Sequence, residues 1–142
     1  MDHVAIMKRS SGLIEDILSR KKRIESRWYV NRIAPWGKIK KGDRVFFKYS
    51  GDPVTACAEV LRVKQYENLN KELFEKIAHD HGDEISMKTT TYNEYYEKKR
   101  YCILVFLKEP RKIKPFEIDK KGYGISSAWM CVGDIANVVK TG

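Results

Sequence analysis

Arg20-Lys21-Lys22-Arg23-Ile24-Glu25-Ser26-Arg27-Trp28, followed after a loop by Lys40-Lys41-Gly42-Asp43-Arg44-Val45-Phe46-Phe47, is the part of this sequence whose reading governs the rest. From Arg23 onward the residues alternate as in a β-strand, so Arg23, Glu25 and Arg27 share one face while Ile24, Ser26 and Trp28 share the other. One carboxylate then stands between two guanidinium groups. Such a set is costly to bury in a dry core but suits the mouth of a cleft, where the arginines hold an anion and the acid accepts a proton or a hydrogen bond. The plainer alternative is a solvated strand face with alternating charges that contribute little.

Upstream, His3 to Met7 is a short, mostly apolar run that predicts a buried first strand. Ser10-Ser11-Gly12 offers a helix cap with Glu15 three residues on, and Leu13, Ile14, Ile17 and Leu18 form an apolar stripe, predicting a helix that ends near Ser19 and delivers the chain into the basic strand. Downstream, Pro35 and Gly37 break regular structure around Trp36, which then either stands at a rim among cations or folds over the core as a lid. Lys41-Gly42-Asp43 turns into Arg44–Tyr49, and Ser50-Gly51-Asp52-Pro53 turns again into Val54–Val63, predicting a hairpin. So many strands joined by tight turns favour a small barrel or strongly coiled sheet, which leaves few free edges.

Residues 68–81 predict a helix, with Leu69, Leu73, Phe74 and Ile77 on one stripe and Gly82 at its left-handed end. His79 and His81, two apart, fall on different sides of that helix, so no metal site is expected there. Thr89–Arg100 reads as a short helix or ordered loop carrying Tyr92, Tyr95 and Tyr96, which either line a partner surface or cover the end of a barrel. Tyr101–Leu107 is continuously apolar and predicts a central strand ended by Glu109-Pro110, with Ile113–Phe116 as an edge segment. Lys120-Lys121-Gly122 lacks the length and the lysine-serine ending of a phosphate-cradling loop. Ser126–Val132 predicts the last strand, and Ile135–Val139 a closing strand or helical turn.

The chain has 142 residues, 42% of them hydrophobic and 33% charged, which fits one domain spanning residues 1–142. Its formal charge of +9 favours a polyanionic partner and makes an acidic one a poor match. Nucleic acid is the first candidate and an anionic membrane surface the second. Cys57, Cys102 and Cys131 are odd in number and widely spaced among apolar neighbours, which fits buried small hydrophobes in a reducing compartment better than a disulfide framework or zinc site. With no uninterrupted apolar run of spanning length and no basic-then-apolar leader, a cytoplasmic location and no membrane association are expected.

The motif resembles that of the ASCH family, within the PUA-like group of small β-barrel proteins. That family is marked by Gly-x-Lys-x-x-Glu-x-Arg and then a Gly-Asp turn into an apolar strand. Lys22, Glu25 and Arg27 match in spacing, Lys41-Gly42-Asp43 supplies the turn, and Arg20 replaces the glycine. Ala34-Pro35-Trp36-Gly37-Lys38, Ser50-Gly51-Asp52-Pro53-Val54 and Ile125-Ser126-Ser127-Ala128-Trp129 extend the likeness to bacterial and archaeal ASCH proteins, while EVE domains, which share the Gly-Asp-x-Val-Phe-Phe strand, are the nearest rival. The resemblance implies an α+β fold: a barrel of about five to seven mostly antiparallel strands with two or three flanking helices. It implies a cleft beside the motif strand and RNA or DNA binding, with hydrolysis in some members. One branch deacylates cytidine with the motif lysine, a threonine at the position held here by Glu25, and a distant glutamate; this chain has Lys22 and lacks that threonine.

Two functions follow. The first is a nucleic-acid-binding module, with RNA preferred over DNA or a free nucleotide, in which Arg23, Arg27, Arg32, Lys38, Lys40 and Lys41 contact phosphates, Trp36 and Trp129 stack a base beside Ser127, and Glu25 accepts from an exocyclic amino group. The second is a hydrolase of RNA or an N-acylated cytidine nucleoside, with Lys22 and Glu25 as its catalytic pair. Neither invokes a metal or a cofactor.

Overall fold

The computed structural model describes residues 1–120, 122–124 and 127–141. Its elements follow in the order β1 (Asp2–Met7), α1 (Leu13–Leu18), β2 (Ile24–Tyr29), β3 (Arg44–Tyr49), β4 (Val54–Tyr66), α2 (Lys71–Ile85), α3 (Glu94–Glu97), β5 (Tyr101–Phe116) and β6 (Trp129–Gly133), closed by a 3₁₀ turn at Ile135–Asn137. The strands form one six-stranded sheet in the order β2-β5-β4-β3-β1-β6. All neighbours are antiparallel except β1 and β3. The sheet curls into a half-barrel, so that a side chain of edge strand β2 reaches the far end of the order: the Arg27 guanidinium donates to the carbonyls of Ile6 in β1, at 3.5 Å, and Ala128 beside β6, at 3.2 Å.

Alternation along the strands sorts the core into layers. Val45, Phe47, Ala56, Ala58, Val60, Ile103 and Val105 point inward, where α1 plugs them with Ile14 and Ile17. On the outer face Ile24, Trp28, Cys102, Leu104 and Phe106 meet Phe74 and Ile77 of α2. Burying each of those two α2 side chains contributes about 1.5–3 kcal/mol. A third cluster joins Val4, Phe46, Cys57 and Met130. Val54 belongs to it and not to the inner layer of Ala56, Ala58 and Val60, because the β4–β5 register shifts between Val54 and Ala56.

Several boundaries differ from the sequence reading. Gly12 caps α1 in the left-handed region, and Glu15 bonds to the Tyr49 hydroxyl instead of closing a capping box. The second helix runs through Gly82, and Ser86, at φ 61°, takes the left-handed position. Gly82 is a buried residue inside this helix, and Thr90 Cγ2 lies 3.5 Å from where a Cβ on it would sit, an ordinary contact distance. Glu109-Pro110 does not end β5; Glu109, at φ 51°, sits where the ladder shifts by a bulge, and the strand continues to Phe116. The expected last strand is described from Trp129, Ser126 lying outside the described residues, as does Lys121 of the basic glycine turn. Cys57 and Cys102 are buried free thiols, Cys131 a half-buried one. Among the described residues no helix is long and apolar enough to cross a membrane, and no group of His, Cys, Asp and Glu is arranged to hold a metal.

Candidate functional site

The inward face of β2 carries the charges. Glu25 is 4% exposed and Lys22 3% exposed, so the pair is buried. Lys22 Nζ lies 3.3 Å from Glu25 Oε1 and donates to the Ile85 carbonyl at 2.5 Å, which ties the strand to the end of α2. Arg27 Nη2 bonds Glu25 Oε2 at 3.2 Å, and the Ser26 amide donates to Oε1 at 3.2 Å. Burial alone would raise the Glu25 pKa, but Lys22 and Arg27 outweigh it and hold the carboxyl below its ordinary range. Of about four acceptor positions on an ionised carboxylate, three are thus in use.

Beside this triad lies an open cleft of about 280 Å³, lined by Lys22, Glu25, Ser26, Trp28, Tyr95 and Tyr96 together with the Ile85–Thr89 connection. Trp28 comes from the opposite face of β2, and the cleft reaches both faces because β2 is the edge strand. Its indole N–H donates to Ser26 Oγ at 3.0 Å, and its ring meets Tyr96 edge-on at 5.0 Å. Asn93 caps α3 through the amides of Tyr95 and Tyr96 and so fixes both rings, Tyr95 being 54% exposed.

Comparison of the whole fold decides its class. The structure superimposes on the crystal structure of ASCH from Zymomonas mobilis with a TM-score of 0.66 and 17% identity, covering 91% of this chain and 85% of that one. Two substituted forms of that protein agree, at TM-scores of 0.67 and 0.66 and identities of 17% and 18%, covering 91% of this chain and 88% and 86% of theirs. This chain has the ASCH fold. A scan against protein-family models finds no match, and neither does a search of curated proteins.

Within the ASCH fold the motif residues meet as their spacing implies, and Arg27 binds the motif strand to the terminal tryptophan segment, lying over the Trp129 ring at 5.1 Å. Trp129 is not an exposed platform: it is 3% exposed, and its indole N–H donates to His3 Nδ1 at 3.1 Å. Ser127 Oγ donates to the Trp129 carbonyl at 2.9 Å, serving that turn. Trp36 takes the lid position, packed on the inner core and edge-on to Tyr101 at 5.0 Å, with Arg32 over both rings and ion-paired to Glu67 at 2.6 Å. Lys38, Lys40 and Lys41 are exposed and do not line the motif cleft, nor does Arg23, whose Nε donates to the Arg20 carbonyl at 3.3 Å. The aromatic residues of the cleft are therefore Trp28, which the sequence reading placed on the strand face opposite Glu25, and Tyr95 and Tyr96, which it left between a partner surface and the end of a barrel. The spacing of the tyrosines marked them as a cluster, but nothing local connected it to a strand some seventy residues earlier.

Proposed function

We propose that the chain is a nucleic-acid-binding module, with single-stranded RNA as its preferred partner, and that one nucleotide enters the cleft beside Lys22, Glu25 and Arg27. The observation that carries this reading is the state of Glu25: a carboxylate held ionised by two cations, with one acceptor position left, on a cleft walled by aromatic rings. Such an acid accepts from an exocyclic amino group, while Tyr95 offers an exposed ring for a base. The charge of +9 supports a polyanion as the partner.

The hydrolase reading draws less support. A carboxyl pushed below its ordinary range is a weak base, and Lys22 Nζ is already engaged by Glu25 and the Ile85 carbonyl. Binding of a labelled single-stranded RNA, followed by fluorescence anisotropy across a salt series, tests the proposal. With about four phosphates neutralised, log affinity falls against log salt with a slope of about −3. Tyr95→Ala weakens binding about tenfold, the loss of one stacked base. Salt-insensitive affinity, or full affinity in Tyr95→Ala, contradicts the proposal, and turnover of N-acylated cytidine that is lost in Lys22→Ala transfers the site to the hydrolase.

A further inference from the structure

Lys22 lines a second open cleft, of about 320 Å³, whose other walls include Arg20, Arg23, Leu61, Phe106 and Lys108. Among the described residues Arg20 has no ion-pair partner and Arg23 gives only Nε to the Arg20 carbonyl, whereas Arg9, Arg32 and Arg44 each hold a carboxylate; Arg62, Arg100 and Arg111 also hold none, but they do not line this cleft. The acid lining this cleft, Glu84, faces His81 at 3.7 Å, and Lys108 lies 3.7 Å from Glu59.

Arg20 also sits in a backbone conformation that suits another residue. At φ 67° it occupies the left-handed region, which glycine adopts without steric cost and a residue with a Cβ does not. The position follows the cap of α1, where a left-handed residue closes the helix, and glycine would close it equally well, so the backbone itself does not call for an arginine. What the arginine adds is a guanidinium at the rim of a hollow, next to a second one. Leu61, 44% exposed, adds an apolar wall, whereas Phe106 is 6% exposed, with Arg62 over its ring at 4.1 Å. Among the described residues the terminal nitrogens of both arginines lack acceptors, and two such guanidinium forks match the oxygens of a phosphate.

We propose that this second cleft is a phosphodiester subsite: Arg20 and Arg23 clamp the backbone phosphate of a single strand whose adjoining nucleotide occupies the motif cleft, with the sugar lying on Leu61. This rests on the nucleic-acid reading above, and Lys22, common to both clefts, is the partition between base and phosphate.

The test compares single-stranded RNA binding across a salt series for the wild type, Arg20→Gln/Arg23→Gln, and Lys8→Gln/Lys114→Gln, which removes the same charge elsewhere. The expected result is an affinity about tenfold lower for the arginine pair, with a salt slope shallower by about one, and a change below about twofold for the lysine pair. Equal losses in the two variants, or no loss in the first, overturn the subsite. Arg20→Gly separates folding from binding: it relieves the left-handed strain and raises Tm while lowering affinity, and an affinity equal to the wild type's counts against the clamp. If the wild type binds no RNA, the nucleic-acid reading itself fails. Inorganic pyrophosphate then decides the anion site alone, through the arginine Nε–H resonances: shifts at Arg20 and Arg23 retain it, and their absence overturns it.

Discussion

Two buried carboxylates are linked through Trp129, Asp43 by way of His3 and Glu25 by way of Arg27, and they put the same electrostatics to different ends. Asp43 accepts from His3 Nε2 at 2.8 Å, from the terminal ammonium of Met1 at 3.1 Å and from the Lys40 amide at 3.0 Å. An indole N–H can only donate, so the Trp129 bond makes His3 Nδ1 an acceptor and places the imidazole proton on Nε2, toward Asp43. Every polar atom in that chain thus has a partner, and the network pins β1 to the turn that starts β3. Glu25 also holds three donors, but two come from long cationic side chains and the acid lines an open cleft. The Asp43 network anchors main chain; the Glu25 network, which borders a hollow, can also receive a ligand.

Deleting each acid separates the two networks. Glu25→Ala strands Lys22 in a buried position and costs about 3–5 kcal/mol in urea unfolding. Asp43→Ala leaves the His3 N–H without an acceptor and costs about 1–3 kcal/mol. The order matters as much as the size. If Asp43→Ala proves the more damaging, the triad is better solvated than its burial indicates, and the cleft reading weakens with it.

Smaller in effect, pH sharpens the contrast. Burial pushes the His3 pKa below its ordinary 6.5, against the pull of Asp43. As pH falls from 6.5 the unfolded chain therefore takes up a proton that folded His3 refuses, and stability declines. Glu25 and Asp43 are lowered despite burial, by their cationic and N–H partners, from ordinary values of 4.5 and 3.8. Their contribution is complete above those values and is lost as pH falls through the folded ones. Acid unfolding should show an early His3 component followed by a carboxylate one. His3→Gln, which can still accept from Trp129 and donate to Asp43, removes only the first; persistence of the early component in that variant assigns it to another group.

Much of the fold was legible because it rests on local alternation. The period-two pattern of β2, the glycine turn into β3 and the apolar run of β5 each report which side of a strand is covered, and each lands where the pattern puts it. Elements that depend on distant contacts read less well. Gly82 resembles a helix stop, but it lies buried inside the helix, which continues for another three residues, to Ile85. Pro110 resembles a strand end, but the pairing with β4 absorbs it as a bulge. In the site, the charge triad is encoded within six residues, Lys22 to Arg27, whereas the aromatic walls are not. Trp129 looks like a stacking surface until His3, 126 positions away, takes its N–H and Arg27 covers its ring.

The three tryptophans offer the most direct test, because Trp28 lines the motif cleft, Trp129 backs onto Arg27, and Trp36 forms the lid by Tyr101. Their indole N–H resonances can be followed while a short single-stranded RNA is added to the intact protein. Binding at the motif cleft shifts the Trp28 signal most, Trp129 less, and leaves Trp36 in place. A shift confined to Trp36, or none at all, contradicts the claim that Glu25 and its cations receive a nucleotide.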